Sequence, residues 1–358
     1  EDCNQEIATQ VDNINGIAQK IALLNKQINV IELQGTRANE LRDQRALLID
    51  ELSDVVQVDV TETPVVDPNN PDRYTGATNY RVKINGQTLV DTFDYNTLSY
   101  VAREKKVNQS DADGLYDLCW SETKVPFNIT GKTCEGRLAA LFHVRDGNNN
   151  EGFAGRVQSI APGANGDVVT ISNPSITDVN KINMAEDGII VINNTEYRYS
   201  GFSYDAATNT YQFQLKRPLT TEERENLISR NASIGSNIDT MGVPYYQSQA
   251  NQFLREFAKQ LNEIQKTGVD LKGNKGGSFF VAENKTDGSE YDFADYDASG
   301  SMSTFKNDYY KLTAANITVA DALDDPERLV TMMEKDVADG SAVQSLVEEM
   351  QKLKSDVN

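Results

Sequence analysis

The sequence predicts an α+β multidomain protein, a long-helix bundle formed by its N- and C-terminal segments with two β-rich domains inserted between them. Three observations carry this. Apolar residues from Ile7 to Val55 recur at steps of three and four, the spacing of one helix face. Between residues 56 and 242 the period drops to two, and turn-forming residues punctuate short apolar runs. Helical spacing then returns near Pro244 and again at the C-terminus. The expected domains are 1–55 with 243–358 as the helical bundle, 56–146 as a first β domain, and 147–242 as a second, outward-projecting one. A chain of 358 residues has room for roughly two or three domains of ordinary size.

Residues 7–55 read as one continuous helix. Ile7, Val11, Ile14, Ala18, Ile21, Ile28, Ile31, Ala38, Leu41, Leu48, Leu52 and Val55 form the seam, with Asn25 and Arg45 as polar interruptions. Such a rod would be about 70 Å long. Gly16 and Gly35 are the places where it could kink or break. Val56, Val58 and Val60 then alternate with polar residues, and Pro64 to Pro71 reads as a loop. Tyr80, Val82 and Ile84 run into Asn85-Gly86, a dipeptide suited to a tight hairpin because both turn positions need positive φ. Short strands follow around Leu98 to Val101, Leu115 to Trp120 and Phe127 to Ile129.

A second β-rich stretch runs from Val168 to Leu215, with Asn193-Asn194 as a turn and Tyr197, Tyr199, Phe202, Tyr204, Tyr211 and Phe213 on its strands. Turn signals at intervals of about 8–12 residues suggest a small sandwich or barrel. Pro244 suits the first turn of a helix carrying Tyr246, Phe253, Phe257, Leu261 and Ile264, which Gly268 would stop. Further helix is expected from Asp325-Pro326 to Met333 and from Ser341 to Leu353.

Composition excludes several functions. A net charge of −20 leaves no basic face for nucleic acid, and strong acidity suits a solvated surface. No stretch approaches the length of a membrane span. The N-terminus, from Glu1 to Asn4, lacks the pattern of a cleavable signal. Cys3, Cys119 and Cys134 are too few for a disulfide framework; Cys119 and Cys134 either bridge neighbouring strands or remain free. His143 is the single histidine, which rules out most zinc sites.

Motif fragments fail on inspection. Gly131-Lys132-Thr133 resembles the end of a P-loop, but Pro126 stands where the first glycine belongs. The run from Asp146 to Glu151 starts like an EF-hand loop, yet its sixth position is Glu151 and its twelfth is Val157. Asp111 to Gly114 reads as a solvated turn rather than a cation site. His143, with Arg145 and Asp146 beside it, reads as a surface or bundle-edge histidine rather than a base with an orienting acid. No catalytic, cofactor or metal pattern emerges, and the expectation is a non-enzymatic protein.

Five motifs in order resemble the flagellar hook-associated proteins. Ala38 to Arg45 (Ala-Asn-Glu-Leu-Arg-Asp-Gln-Arg) with Leu52-Ser53 matches their Ala-Asn-x-Leu-x-Asp-Gln-Arg signature. Ile84 to Val90 is similar to their first hairpin, and Gly136-Arg137-Leu138 to Arg145-Asp146 to their return into helix. Asn262 to Leu271, with Gly276-Gly277 and Phe279-Phe280, resembles a helix end of the family, and Leu312 to Pro326 its "Asn…Asp-Pro" stretch. The later motifs favour hook-associated protein 1 over hook-associated protein 3. The stretch 147–242 departs from the family as an insertion, and the family's terminal segments are missing.

The resemblance implies a structural subunit joining hook and filament, exported through the flagellar channel without a cleaved signal to an extracellular position. It implies as partners the hook protein, a second junction protein and copies of itself in a ring, with an export chaperone bound by the missing C-terminus. Without its termini the chain is expected to be monomeric. By resemblance, Ala38, Asn39, Leu41, Asp43 and Arg45 are the subunit-packing candidates, although they equally complete one helix face. The rival reading is a surface adhesin or glycan-binding module, with Tyr197, Tyr199, Tyr204 and Tyr211 as its aromatic platform.

Overall fold

The seam that begins at Ile7 folds as two helices, α1 (Asp2–Glu32) and α2 (Asn39–Val55), and not as the single rod expected over 7–55. The computed structural model describes residues 2–131, 134–291, 293, 300–333 and 341–356, so Lys132 and Thr133 of the P-loop-like fragment lie outside the described residues. The break falls at Gly35, whose φ of +82° is a left-handed conformation that glycine adopts at no steric cost. Its N–H donates to the Glu32 carbonyl at 3.0 Å, closing the last turn. Gly16 stays within α1, with open space where a Cβ would project.

Two compact units partition the chain. The first comprises residues 1–104, 112–150 and 238–243; the second comprises 105–111, 151–237 and 244–358. In the first unit α1 buries Ile7, Val11, Ile14, Ile21 and Ile28 completely. Each such side chain contributes about 1.5–3 kcal/mol relative to exposure. Strands β1 (Val58–Asp67), β2 (Asn70–Ile84), β3 (Gln87–Asp91) and β4 (Asp94–Tyr95) form an antiparallel sheet in that order. Asn85 and Gly86 make the predicted turn, with φ of +45° and +77°. The Pro64–Pro71 segment, expected as a loop, is instead the far end of the β1–β2 hairpin. Pro64 is tolerated there because β1 is an edge strand, where a missing N–H costs no ladder bond. A second ribbon pairs β5 (Leu98–Ala102) with β6 (Tyr116–Trp120), and α3 (Arg137–Asp146) completes the unit. The core joins α1, Leu52 and Val55 of α2, the inner faces of the strands, and Leu138 and Phe142 of α3. Gly136, at the entry to α3, has a φ of +97°, and a Cβ there would lie 2.6 Å from the Val55 carbonyl oxygen. Cys119 and Cys134 are free thiols; Cys119 Sγ lies 3.2 Å from Ser99 Oγ.

In the second unit, β7 (Phe153–Ala161), β8 (Val168–Ser172), β9 (Gly188–Ile192), β10 (Thr195–Asp205), β11 (Thr210–Leu215) and β12 (Asn231–Ile234) pair in the order β11-β8-β7-β12-β9-β10. A β10–β11 pairing closes the ring, so the predicted small barrel is present. Helix α4 (Thr221–Leu227) precedes β12 and carries a capping box between Thr220 and Glu223. The interior is filled by Phe153, Tyr199, Phe202, Tyr211 and Phe213.

This packing corrects the aromatic-platform expectation. Tyr199 and Tyr211 are 0% exposed, Tyr204 5% and Tyr197 6%, so none presents a face to a glycan. Their hydroxyls serve the fold instead. Tyr199 donates to Ala185 O at 2.8 Å, Tyr211 to Ile176 O at 2.9 Å and Tyr204 to Thr177 O at 2.9 Å, pinning the 176–185 segment to the barrel. Burial pushes the Tyr199 and Tyr211 hydroxyls well above the ordinary phenol range, so they remain donors at any working pH.

Helix α5 (Val243–Thr267) fits the prediction from Pro244 to Gly268 closely. It is followed by β13 (Phe280–Glu283), β14 (Glu290–Tyr291), β15 (Met302–Ser303) and β16 (Ile317–Val319). The inner side of α5 is polar. Asn262 accepts from the N–H groups of Phe279 and Phe280 (2.7 and 2.9 Å) and donates to Phe280 O and Tyr309 Oη (2.7 and 2.9 Å). Asp270, just past the helix, accepts from the N–H groups of Lys272 and Asn274, each at 2.8 Å, and so shapes the turn that follows. The helix expected over 325–333 is absent. Pro326–Arg328 makes one 3-10 turn, after which the chain extends and Val269 donates to Met332 O at 2.8 Å. The C-terminal helix α6 spans Ser341–Asp356.

Candidate functional site

The signature Ala38 to Arg45 occupies the turn into α2, where α2 folds back on α1. Glu32, at the end of α1, receives two hydrogen bonds from Arg42 at 2.7 Å each and one from the Ala38 N–H at 3.2 Å. Both ends of the interhelical turn are thereby tied to one carboxylate. The Arg42 hydrogen bond, the strongest influence, overcomes burial and holds the Glu32 carboxyl below its usual range. Arg42 also reaches Glu62 of β1 at 3.0 Å.

Arg45 points inward and is buried. It donates to Asn25 Oδ1 at 2.8 Å and to Glu62 at 3.3 Å, and its guanidinium lies 3.6 Å from the Tyr80 ring centroid. The two polar interruptions of the sequence seam are therefore partners. Burial is the largest influence on Glu62 and works to raise it; the Thr78 hydroxyl, Arg45 and Arg42 together outweigh it and hold the carboxyl low. Of the other signature residues, Ala38 is buried, Leu41 is half-buried, and Asn39 and Asp43 are exposed on α2.

Asn25 is one of four asparagines by which α1 grips backbone of the first unit. Asn4 accepts from Tyr116 N at 2.8 Å, Asn15 accepts from Leu98 N at 2.8 Å and donates to Leu98 O at 2.9 Å, Asn25 donates to Thr92 O at 2.8 Å, and Asn29 accepts from Thr78 N and donates to Thr78 O, both at 2.9 Å. A carboxamide offers the same donor and acceptor pair as a peptide group, so each side chain replaces a missing strand neighbour. Sequence reading missed Glu32, Arg42, Glu62 and three of these asparagines. For the asparagines the only signal was polar residues recurring at near-helical multiples beside the apolar seam; Arg42 stood in the quoted signature, and nothing local marked Glu62 on β1.

The supposed acid–base grouping at His143 does not form as an orienting pair. Asp146 receives Arg145 at 2.6 Å and Arg103 at 2.8 Å, and Arg145 also donates to Asn4 Oδ1 at 3.0 Å. Burial is the largest influence on Asp146 and works to raise its carboxyl, but the Arg145 hydrogen bond and the two guanidinium charges outweigh it. The EF-hand-like run is a turn in which Asn149 and Asn150 have φ of +53° and +58°. Asp111 accepts from the N–H of Asn108 at 2.8 Å and shapes a turn. Among the described residues no cluster of His, Cys, Asp or Glu could hold a metal, and no helix is long and apolar enough to cross a membrane.

The depressed carboxyls Glu32, Glu62 and Asp146 give a pH prediction. Each is lower in the folded state, so its contribution is fully present above the unfolded value near 4 and is lost as pH falls through the folded value. Each should tilt stability by at most about 1.4 kcal/mol per pH unit across that window. Urea unfolding at pH 7, 5, 4 and 3 should give a flat midpoint down to pH 5 and a steep fall below 4, with a shallower fall in Asp146→Asn. An acid limb of unchanged slope in that variant would contradict the assignment.

Comparison with known proteins agrees with the signature. The family model described as the flagellar hook-associated protein FlgK helical domain matches residues 1–161 and 168–280. Among solved structures the chain is similar to the flagellar hook junction protein FlgK from Burkholderia pseudomallei, at 17% identity and a TM-score of 0.36. That match covers 78% of this chain and 31% of the other, so this chain matches about a third of that protein's length. No curated protein matches. The family match takes in four of the five signature motifs, and it also runs through 147–242 apart from residues 162–167, a stretch expected to stand outside the family as an insertion. The chain belongs to the flagellar hook-associated protein FlgK family, hook-associated protein 1, and is a structural, hook-associated protein of the flagellum.

Proposed function

We propose that this chain is a structural subunit of the junction between hook and filament. The observation that carries the reading is the family match over residues 1–161 and 168–280, which includes the α2 signature and α5. The fold gives physical support, because α1 is bound along much of its length to backbone by carboxamides and so resists sliding under load. Helices of both units would supply the packing body, and the barrel within 147–242 would project outward. Asn39, Leu41 and Asp43 would face neighbouring subunits, with Ala38 and Arg45 supporting them from beneath. The partners would be the hook protein, a second junction protein and further copies in a ring. An export chaperone would engage a C-terminal segment, and the protein would leave the cell through the flagellar channel.

Deleting the gene in the source bacterium tests this. The expected result is bare hooks by electron microscopy with flagellin in the medium, restored by the full-length gene. Normal filaments in the deletion strain would overturn the reading.

A further inference from the structure

Helix α5 is amphipathic in an inverted sense. Its buried side carries Asn251, Arg255, Asn262 and Gln265 around the fully buried Ala258, while Tyr246 and Phe253 are 61% and 53% exposed. Tyr246, Ala250, Phe253, Phe257, Gln260 and Ile264 follow steps of four and three, the seam by which one helix receives another. Phe253 stacks on the half-buried Phe257 with ring centroids 6.1 Å apart, and Phe257 in turn lies 5.8 Å from the Phe280 ring, so the exposed Phe253 is a knob standing on a ring anchored to its own unit. Scattered exposed apolar residues need no explanation, but an aligned aromatic row on one helix marks an interaction surface.

The first unit carries a shallow apolar surface. Leu23, Lys26, Gln27, Val30, Ile31 and Leu41 line a groove of about 580 Å³ along α1 and the start of α2. Leu23 and Val30 are 57% and 53% exposed, so the groove is unfilled by the chain that forms it. Both surfaces are apolar, and their charges are complementary. Lys26 is the groove's one charged residue, whereas the α5 seam is flanked by Glu256 and Glu263.

We propose that the aromatic seam of α5 in one copy docks into the α1–α2 groove of a second copy, with Lys26 facing Glu256 and Glu263. This rests on the junction reading and names the surfaces through which its subunits would meet. Because knob and groove are different patches, the contact is heterologous: a joined pair keeps one free knob on one copy and one free groove on the other. Such contacts propagate and close only if the rotation between copies permits a ring. A net charge of −20 on every copy opposes approach, so association between free copies is weak and strengthens when salt screens the repulsion.

The test uses two substitutions on exposed side chains, Phe253→Glu on the knob and Leu23→Glu in the groove. Sedimentation velocity at high protein concentration and moderate salt should show wild-type mass rising with concentration, and each variant alone as a monomer. Mixed in equal amounts, the variants should form a species of twice the monomer mass and no larger, since one intact knob meets one intact groove. Wild-type protein that stays monomeric under these conditions overturns the proposal. Self-association of the Leu23→Glu variant would instead assign α5 to a symmetric contact with itself, and a mixture that fails to pair would also overturn it. None of these failures touches the deletion phenotype, which tests the junction role separately.

Discussion

Replacing Arg255 with methionine should destabilise the second unit by about 3–5 kcal/mol, because several buried oxygens lose their donor at once, among the largest effects of any single substitution in this chain. Arg255 is 3% exposed, and its hydrogen bonds go to oxygens that carry no formal charge. It donates to Leu312 O and Ile182 O at 3.1 Å each, to Tyr310 O at 3.3 Å and to the Gln109 side-chain oxygen at 2.5 Å, and it lies over the Tyr310 ring. One guanidinium thus joins α5 to three separated segments, around residues 109, 182 and 310–312. Burial draws its pKa down from the ordinary value, but arginine starts too high to lose its proton. Methionine keeps most of the volume, so the measured loss isolates the unpaired oxygens from cavity formation. An unfolding free energy from urea titration within about 0.5 kcal/mol of wild type would mean that these bonds contribute nothing net.

Arg255 also shows where sequence reading reaches its limit. Periodicity located α5 to within a residue or two at each end, and it correctly placed Tyr246, Phe253, Phe257 and Ile264 on one face. Apolar period identifies a face; it does not say which face meets the body of the same chain. Here the polar face is buried because Asn251, Arg255 and Asn262 find backbone partners far away in sequence, a non-local fact that no helical window contains. The tyrosines of β10 and β11 mislead in the opposite direction. Alternation alone cannot distinguish an exposed aromatic platform from a barrel interior, and closure by the β10–β11 pairing decides it.

Local punctuation was legible where it has a single steric cause. Asn85-Gly86 and Asn193-Asn194 are turns with positive φ, and Gly35 ends α1 as glycine permits. Pro64 looked like a loop residue because its tolerance depends on β1 being an edge strand. The 325–333 segment looked helical until its pairing with residue 269 drew it out. In the signature, periodicity places Ala38 and Leu41 on the seam and Arg45 as an interruption of it, while their packing role rests on resemblance alone. What the signature does physically became visible only when Glu32, Glu62, Asn25 and Tyr80 converged on it.

That convergence makes Arg45→Met the second large expected effect, a loss of about 2–4 kcal/mol from the first unit. The substitution removes the donor to Asn25 Oδ1 and one of two cationic partners of Glu62, and it ends the contact over Tyr80. Asn25 is 2% exposed, so its side-chain oxygen would be left unpaired away from water. Glu62 is less affected, because Arg42 and the Thr78 hydroxyl still reach it. A double-mutant cycle separates these contributions. Asn25→Leu should be costly in the wild-type background and much less so beside Arg45→Met, where a buried apolar pair replaces a broken polar one. Glu62→Gln should show a smaller coupling to Arg45. Equal costs of Asn25→Leu in both backgrounds would mean that the bond at 2.8 Å carries no coupling energy, and the signature arginine would then act through packing on Tyr80 alone.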